Sequence, residues 1–260
     1  LGVAAIAAGS GSVLARAAFA KAGKPATFVL VHGAWHGGWC YARVAGLLRG
    51  RGHTVFTPTL TGLADRSHLF SGNINLTTHV TDVLNLIEWE GLENIVLCGH
   101  SYGGMVITGV AAALAQKIAA IVYLDAFLPG DNQSLYDLSN PGDIKDSIAG
   151  ASTLGGIGLP PISAADFGVN AADRAWVDRL CTPQPLATFA EKNKSSAGLT
   201  GIQRKHYIMA TGYMNGGLFK WAYDKVRSDA SWTTEIVACG HDVMIDQPAQ
   251  LARSLETAAG

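Results

Sequence analysis

Residues 95–105 read IVLCGHSYGGM, and this stretch decides the fold. Ile95, Val96, Leu97 and Cys98 form an apolar run of the kind that makes a buried strand. The run enters Gly99-His100-Ser101-Tyr102-Gly103 directly, and residues from about Gly104 to Ala115 then follow a helical pattern. A strand, G-x-S-x-G and a helix in immediate succession make a sharp turn that lifts the serine hydroxyl above a sheet. A Cβ two places before or after the serine would meet the strand or the helix, and glycine removes it. Out of this context the five-residue pattern is weak, and a solvated serine in an ordinary turn is its alternative. The flanking strand and helix favour a nucleophile.

Outward from Ser101, the same rhythm recurs. Phe28-Val29-Leu30-Val31 is a short buried-type strand leading into His32-Gly33-Ala34-Trp35-His36-Gly37-Gly38-Trp39. A helix over about 39–49, a strand over 53–57 and a helix over 76–90 follow, with a loop over 58–72 between the last two. Beyond the Ser101 helix come a strand over 118–124 ending at Asp125, and later strands over 205–210 and 233–238. Helices over 218–227 and 247–257 complete the pattern, the last with Pro248 near its first turn. Strands alternating with helices of this length predict an α/β fold with a mostly parallel central sheet of about six strands, flanked by helices. In such a sheet the carboxyl ends of the strands gather the active-site loops on one edge.

Two segments depart from the rhythm. Residues 129–200 are rich in Gly, Pro, Asn and Ser, with amphipathic pieces over 172–180 and 185–192. A bare loop of that length inside a compact domain is uncommon, so a small, mainly helical cap is expected there. It would be inserted between core segments 26–128 and 201–260. Residues 1–25 open with small apolar residues, one arginine and Ala18-Phe19-Ala20, which match the later regions of an export signal. Export to the periplasm or exterior is the expectation. The alternative is a loosely held N-terminal helix or tail on a cytoplasmic protein.

Composition narrows the partners. The chain has 260 residues, 48% of them apolar and 15% charged, with a net charge of −1. That supports a large core and argues against nucleic acid as a partner. No apolar run is long enough for stable membrane insertion. Cys40, Cys98, Cys181 and Cys239 include no C-x-x-C pair and read as free thiols, with a Cys40–Cys181 bridge open if the protein is exported. No internal repeat is present. Both a monomer and a homodimer fit the sequence.

A serine hydroxyl needs a base to take its proton. His241 follows a buried strand in the last loop before the closing helix, where the base belongs in the order Ser, acid, His. The acid must accept the other ring N–H of that histidine. The loop after the next-to-last strand, 211–217, holds no carboxylate. Asp125, which closes an apolar strand and would be costly to bury alone, is therefore the expected third member. Asp242 and Asp246 are the alternatives. The backbone N–H groups of Ala34 and Tyr102 are the expected oxyanion donors. Trp35, His36, Phe127 and Trp176, with Trp39, are candidates for an apolar substrate pocket, although aromatic residues serve as often in the core. His32 and His36 have i, i+4 spacing but lie in a glycine-rich loop without a third ligand, so no metal and no cofactor is expected. His53, His79 and His206 read as strand-start or helix-surface residues without a role.

The segments FVLVHGAWHGGWCY, TPTLTGLADRSHL, LCGHSYGGMVITGVA, IVYLDAFLP and GHDVMIDQP together resemble the small bacterial α/β-hydrolases of the carbendazim-hydrolysing esterase group. More distantly they resemble the plant methylesterase/hydroxynitrile lyase family. The resemblance spans about 26–258 and is weakest in the cap. It implies a cofactor-free serine hydrolase in which Ser101, His241 and the amides of Ala34 and Tyr102 hold the catalytic positions. Asp125 falls where the haloalkane dehalogenase-like branch keeps its acid, whereas the plant enzymes keep theirs near Thr211. Gly33 and Asp242 replace the Thr and Lys of the lyases, and Ser101 replaces the nucleophilic Asp of the dehalogenases, which disfavours both chemistries. The expected substrate is a small uncharged carboxylic or carbamate ester. A lactone or an amide cleaved by the same residues, and a hydrolase fold that binds a ligand without turnover, are the alternatives.

Overall fold

The computed structural model describes residues 24–214 and 217–260. The 1–20 segment read as an export signal lies outside them. Six strands form one parallel sheet: β1 Thr27–Val31, β2 Thr54–Phe56, β3 Ile95–His100, β4 Ile118–Leu124, β7 Arg204–Ala210 and β8 Trp232–Val237, in the order β2-β1-β3-β4-β7-β8. Two short strands, β5 Gly158–Leu159 and β6 Gln184–Pro185, pair antiparallel outside this sheet. The central strands β1, β3 and β4 are nearly all buried, which is why they read as unbroken apolar runs rather than alternating ones. The edge strand β8 is mostly half-buried or exposed.

Outside residues 129–200 the α-helices are α1 Ala42–Gly50, α2 Leu76–Trp89, α3 Gly103–Leu114, α7 Lys220–Val226, the short α8 Val243–Asp246 and α9 Pro248–Ala259. From β1 the chain steps outward through α1 to β2, then back through α2 to β3. Right-handed crossovers running in opposite directions must lie on opposite faces. Hence α1 packs on α9 on one face, and α2 on α3 on the other. An Asn75 capping box starts α2, the Asn75 side chain accepting the Thr78 N–H at 3.0 Å. The reversal leaves β1 and β3 adjacent with their outgoing loops diverging, the place where such sheets hold ligands.

Residues 129–200 hold α4 Pro141–Ser152, α5 Arg174–Leu180, α6 Ala187–Ala190 and the β5–β6 pair. Helix α4, whose apolar residues are few, lies outside the two amphipathic pieces that the sequence marks. Trp35, where the backbone has φ +65°, ties the loop after β1 to this segment. Its N–H donates to Gln184 Oε1 (3.1 Å), its ring N–H to the Leu159 carbonyl (3.1 Å), and its carbonyl accepts from Thr182 (2.9 Å).

Candidate active site

β3 delivers Ser101 with φ +54°, a left-handed conformation that costs a side-chain-bearing residue about 1–3 kcal/mol. Three backbone bonds hold it. Its N–H donates to Leu124 (3.2 Å), and its carbonyl accepts from Gly104 (3.0 Å) and Phe127 (3.2 Å). A Cβ on Gly99 would stand 2.5 Å from the Gly103 carbonyl oxygen, so glycine is required there. Ser101 opens into a cavity of about 450 Å³, which His241 also lines.

His241 is set by its own N–H, which donates to the Phe167 carbonyl at 2.8 Å. Its ring lies between Phe219, stacked at 5.5 Å, and Phe167 at 5.0 Å. The Nδ1–H donates to Asp125 Oδ2 at 2.7 Å, both residues being buried. That bond fixes the tautomer and leaves Nε2 as the proton acceptor. Asp125, just past β4 at φ +42°, has its N–H bound to the Ile208 carbonyl, and its Oδ1 accepts the Ala210 N–H at 3.0 Å. The structure thus brings Asp125 to His241 and leaves the two alternatives elsewhere. Asp242 pairs with His36, and Asp246 accepts from Gly240 and Asn170.

One residue of this cluster was not anticipated. Tyr213 donates its hydroxyl to Asp125 Oδ2 at 2.5 Å, and the Tyr213 hydroxyl oxygen is 3.0 Å from His241 Nδ1. Burial and the Asp125 charge both push its phenol far above the ordinary range, so it remains a donor. The signal in the sequence was indirect: the loop lacking a carboxylate supplies a donor to the carboxylate on the neighbouring strand.

The loop after β1, which carries the expected oxyanion donor Ala34, is set from beneath by His32. Its Nδ1–H donates to the Gly33 carbonyl at 2.8 Å, and its Nε2 accepts the Leu60 N–H at 3.0 Å. Burial lowers its pKa to about 3, which keeps the ring neutral and this tautomer in place. Among the described residues no peptide bond is cis, so the Ala34 N–H points opposite the Gly33 carbonyl and away from His32. Neither the Ala34 nor the Tyr102 N–H meets an internal acceptor among the described residues, and both residues line the cavity. A Cβ on Gly33 would stand 2.8 Å from His100 Nδ1 and 2.9 Å from Ser101 Cβ, so a threonine cannot be seated there as the loop stands. His79 is not on the helix surface. It is buried, with Nδ1 bonded to the Tyr102 hydroxyl and Nε2 to the Thr61 carbonyl, each at 2.9 Å.

Of the expected pocket residues, Trp35 and Phe127 line the cavity, and His36, Trp39 and Trp176 do not. His36 is drawn into the core by Asp242, with its ring stacked on Trp39. Trp176 packs edge-on against Trp39, beneath the Arg43 guanidinium. Phe167, Phe189, Leu159, Leu218 and Met214 complete much of the apolar wall. The charged residues lining the cavity are Asp143, Asp146 and Asp166, with no lysine or arginine. Among the described residues no cluster of three or more potential ligands could hold a metal, and no helix is long and apolar enough to cross a membrane. All four cysteines are free thiols.

The chain is similar to known proteins in both sequence and fold. The sequence profile of the alpha/beta hydrolase family matches residues 28–254. A carbendazim-hydrolyzing esterase from Nocardioides sp. is 43% identical over 238 residues, covering 88% of this chain and 98% of that protein. Methylesterase 2 of Arabidopsis thaliana is 32% identical over a shorter span, 48% of this chain and 46% of that protein. Among solved structures, an extracellular alpha/beta-hydrolase from a Paenibacillus species superposes with a TM-score of 0.76 at 25% identity. That superposition covers 91% of this chain and 99% of the Paenibacillus protein, described as sharing structural and functional homology with tobacco salicylic acid-binding protein 2.

Proposed function

The chain belongs to the alpha/beta hydrolase family and is a carboxylic ester hydrolase, and from that premise we propose that it cleaves small uncharged carboxylic or carbamate esters through an acyl-enzyme on Ser101. The observation that carries the reading is the Asp125–His241 bond at 2.7 Å, with His241 and a serine held in a left-handed turn both lining one largely apolar cavity.

In this mechanism His241 Nε2 takes the Ser101 proton as Oγ attacks the ester carbonyl. Asp125 stabilises the imidazolium that forms, without taking its proton. The Ala34 and Tyr102 N–H groups bind the developing oxyanion, each such donor contributing roughly 3 kcal/mol at the transition state. His241 then protonates the leaving alkoxide. A water, deprotonated by the same nitrogen, releases the acid and restores Ser101. An apolar wall rimmed only by carboxylates repels anionic esters and accepts neutral ones. Its volume of about 450 Å³ is within the range of sites for drug-sized molecules. The similarity to a carbendazim-hydrolyzing esterase makes carbendazim a direct candidate substrate.

The test is hydrolysis of p-nitrophenyl esters of graded chain length, methyl esters and carbendazim by wild type and Ser101→Ala. Loss of kcat by several orders of magnitude in the variant is expected, with fluorophosphonate labelling confined to Ser101. A wild type that turns over none of these esters and takes no label would end the reading.

A further inference from the structure

Beneath the oxyanion loop, His36 faces an acceptor with each ring nitrogen. Nδ1 is 2.8 Å from the Ala34 carbonyl oxygen, and Nε2 is 3.1 Å from Asp242 Oδ2. A neutral imidazole carries one N–H and one lone pair, so only the imidazolium satisfies both partners. Burial works against that charge, but the Asp242 carboxylate outweighs it and raises the His36 pKa. Burial likewise opposes ionisation of Asp242, yet the surrounding histidines, His36 foremost, hold it below the usual carboxylate range.

The pair touches all three loops of the site. The Ala34–Trp35 peptide is gripped at both ends, its carbonyl by His36 Nδ1–H and its N–H by Gln184 Oε1 at 3.1 Å. With His32 holding the preceding carbonyl, the peptides on either side of the Ala34 α-carbon are both anchored, and the direction of its N–H follows. Asp242 is the next residue after His241. Its Oδ1 lies 3.8 Å from His100 Nε2, and that N–H donates to the His241 carbonyl at 3.1 Å. His100, His241 and His32 are the other titrating groups facing the pair, with the Cys40 and Cys181 thiols close to Asp242.

We propose that His36 and Asp242 are positioning residues for ester cleavage: a buried imidazolium–carboxylate pair that aims the Ala34 oxyanion donor and ties its loop to the loop carrying the catalytic base. This rests on the serine-esterase reading only where its effect is read in turnover. Asp242→Asn removes the charge that keeps the second proton on His36, and the ring must then give up one of its two bonds. A donor that works only in the transition state affects kcat and not substrate binding.

The experiment combines ¹⁵N NMR of histidine-labelled protein with kinetics. In wild type at pH 7 both His36 nitrogens are expected to be protonated, and one proton is expected to be lost in Asp242→Asn. Removing an oxyanion donor outright costs about 10²–10³ in kcat, so misaiming one is expected to cost about 10–100-fold. KM is expected to stay within about threefold. Affinity for an alkylboronic acid, which forms a tetrahedral adduct on Ser101, is expected to fall by the same factor as kcat/KM. The double variant His36→Gln/Asp242→Asn is expected to be no slower than Asp242→Asn, because the pair acts as a unit. It also avoids leaving one charge buried alone if the single variant folds poorly. A neutral His36 in wild type overturns the proposal, and so does a variant that loses thermal stability while keeping kcat and boronate affinity. Wild type that cleaves no ester would remove the esterase reading, while the histidine spectrum still decides whether the charged pair exists.

Discussion

Replacing Asp125 by asparagine separates orientation from charge at the centre of the site. The carboxylate accepts on both oxygens, Oδ1 from the Ala210 N–H and Oδ2 from Tyr213 and His241. An asparagine with its oxygen towards His241 would press its NH₂ against the Ala210 N–H, donor against donor. With the amide turned over, its oxygen accepts from Ala210 and its NH₂ faces Tyr213 and His241. The turned amide keeps the Ala210 N–H paired and leaves one buried donor among Tyr213 and the new NH₂ without an acceptor, against two opposed donors in the other orientation, and is therefore the arrangement expected. It forces Nδ1 of His241 to become an acceptor. The ring proton then moves to Nε2, where it faces Ser101 and blocks proton transfer. In a related serine triad this wrong tautomer costs about 10⁴ in kcat, equivalent to about 5 kcal/mol. Stability is expected to fall by about 1–3 kcal/mol, the cost of one buried donor left unpaired. The assay is p-nitrophenyl ester hydrolysis under saturating substrate, with thermal melting as control. A variant that folds as wild type and turns over within tenfold of it would refute the assignment of Asp125.

Two further outcomes are expected. Tyr213→Phe removes a hydrogen bond to an ionised carboxylate and is expected to lower stability by about 1.5–3 kcal/mol. Tyr213 also fixes the carboxylate that orients His241, so kcat is expected to fall more than KM rises. Unchanged kcat with unchanged melting would deny Tyr213 its role. Burial lowers the pKa of His32 to about 3 and of His79 to about 4, and lowers that of His100 as well. In the unfolded chain each takes its proton near 6.5, so the unfolded state binds more protons between pH 6.5 and about 4. The contribution of these rings is therefore full above pH 6.5 and falls on acidification, at ~1.4 kcal/mol per pH unit for each such histidine. His36, protonated in both states over that window, adds no slope. Melting temperatures from pH 8 to 4.5 that stay level below 6.5 would show these rings are not held neutral.

The features that were legible in the sequence are those whose cause is local. Gly99 announces the elbow because a Cβ there would strike the Gly103 carbonyl four residues on. Asp125 announces itself because a carboxylate closing an apolar strand needs a partner, and only a loop at the same sheet edge can supply one. The unbroken apolar runs of β1, β3 and β4 mark strands covered on both faces. The rest depends on partners remote in the chain. His36 resembles a pocket or ligand residue until Asp242, more than 200 positions later, turns its ring into the core. Tyr213 reads as one more buried aromatic until β7 is laid beside β4, which brings its hydroxyl to Asp125. Helix α4, with glycines at 142 and 150 and few apolar residues, has weak intrinsic propensity. It forms against β5, a neighbour that no local pattern specifies. Trp176 was expected to face the cavity, but Val177 takes the buried position on α5 and Trp176 turns to Trp39 and Arg43. The reacting groups are thus written at the ends of strands, where local sterics mark them. The groups that aim them arise from pairings across the sheet edge, and the double variant at positions 36 and 242 probes one such pairing directly.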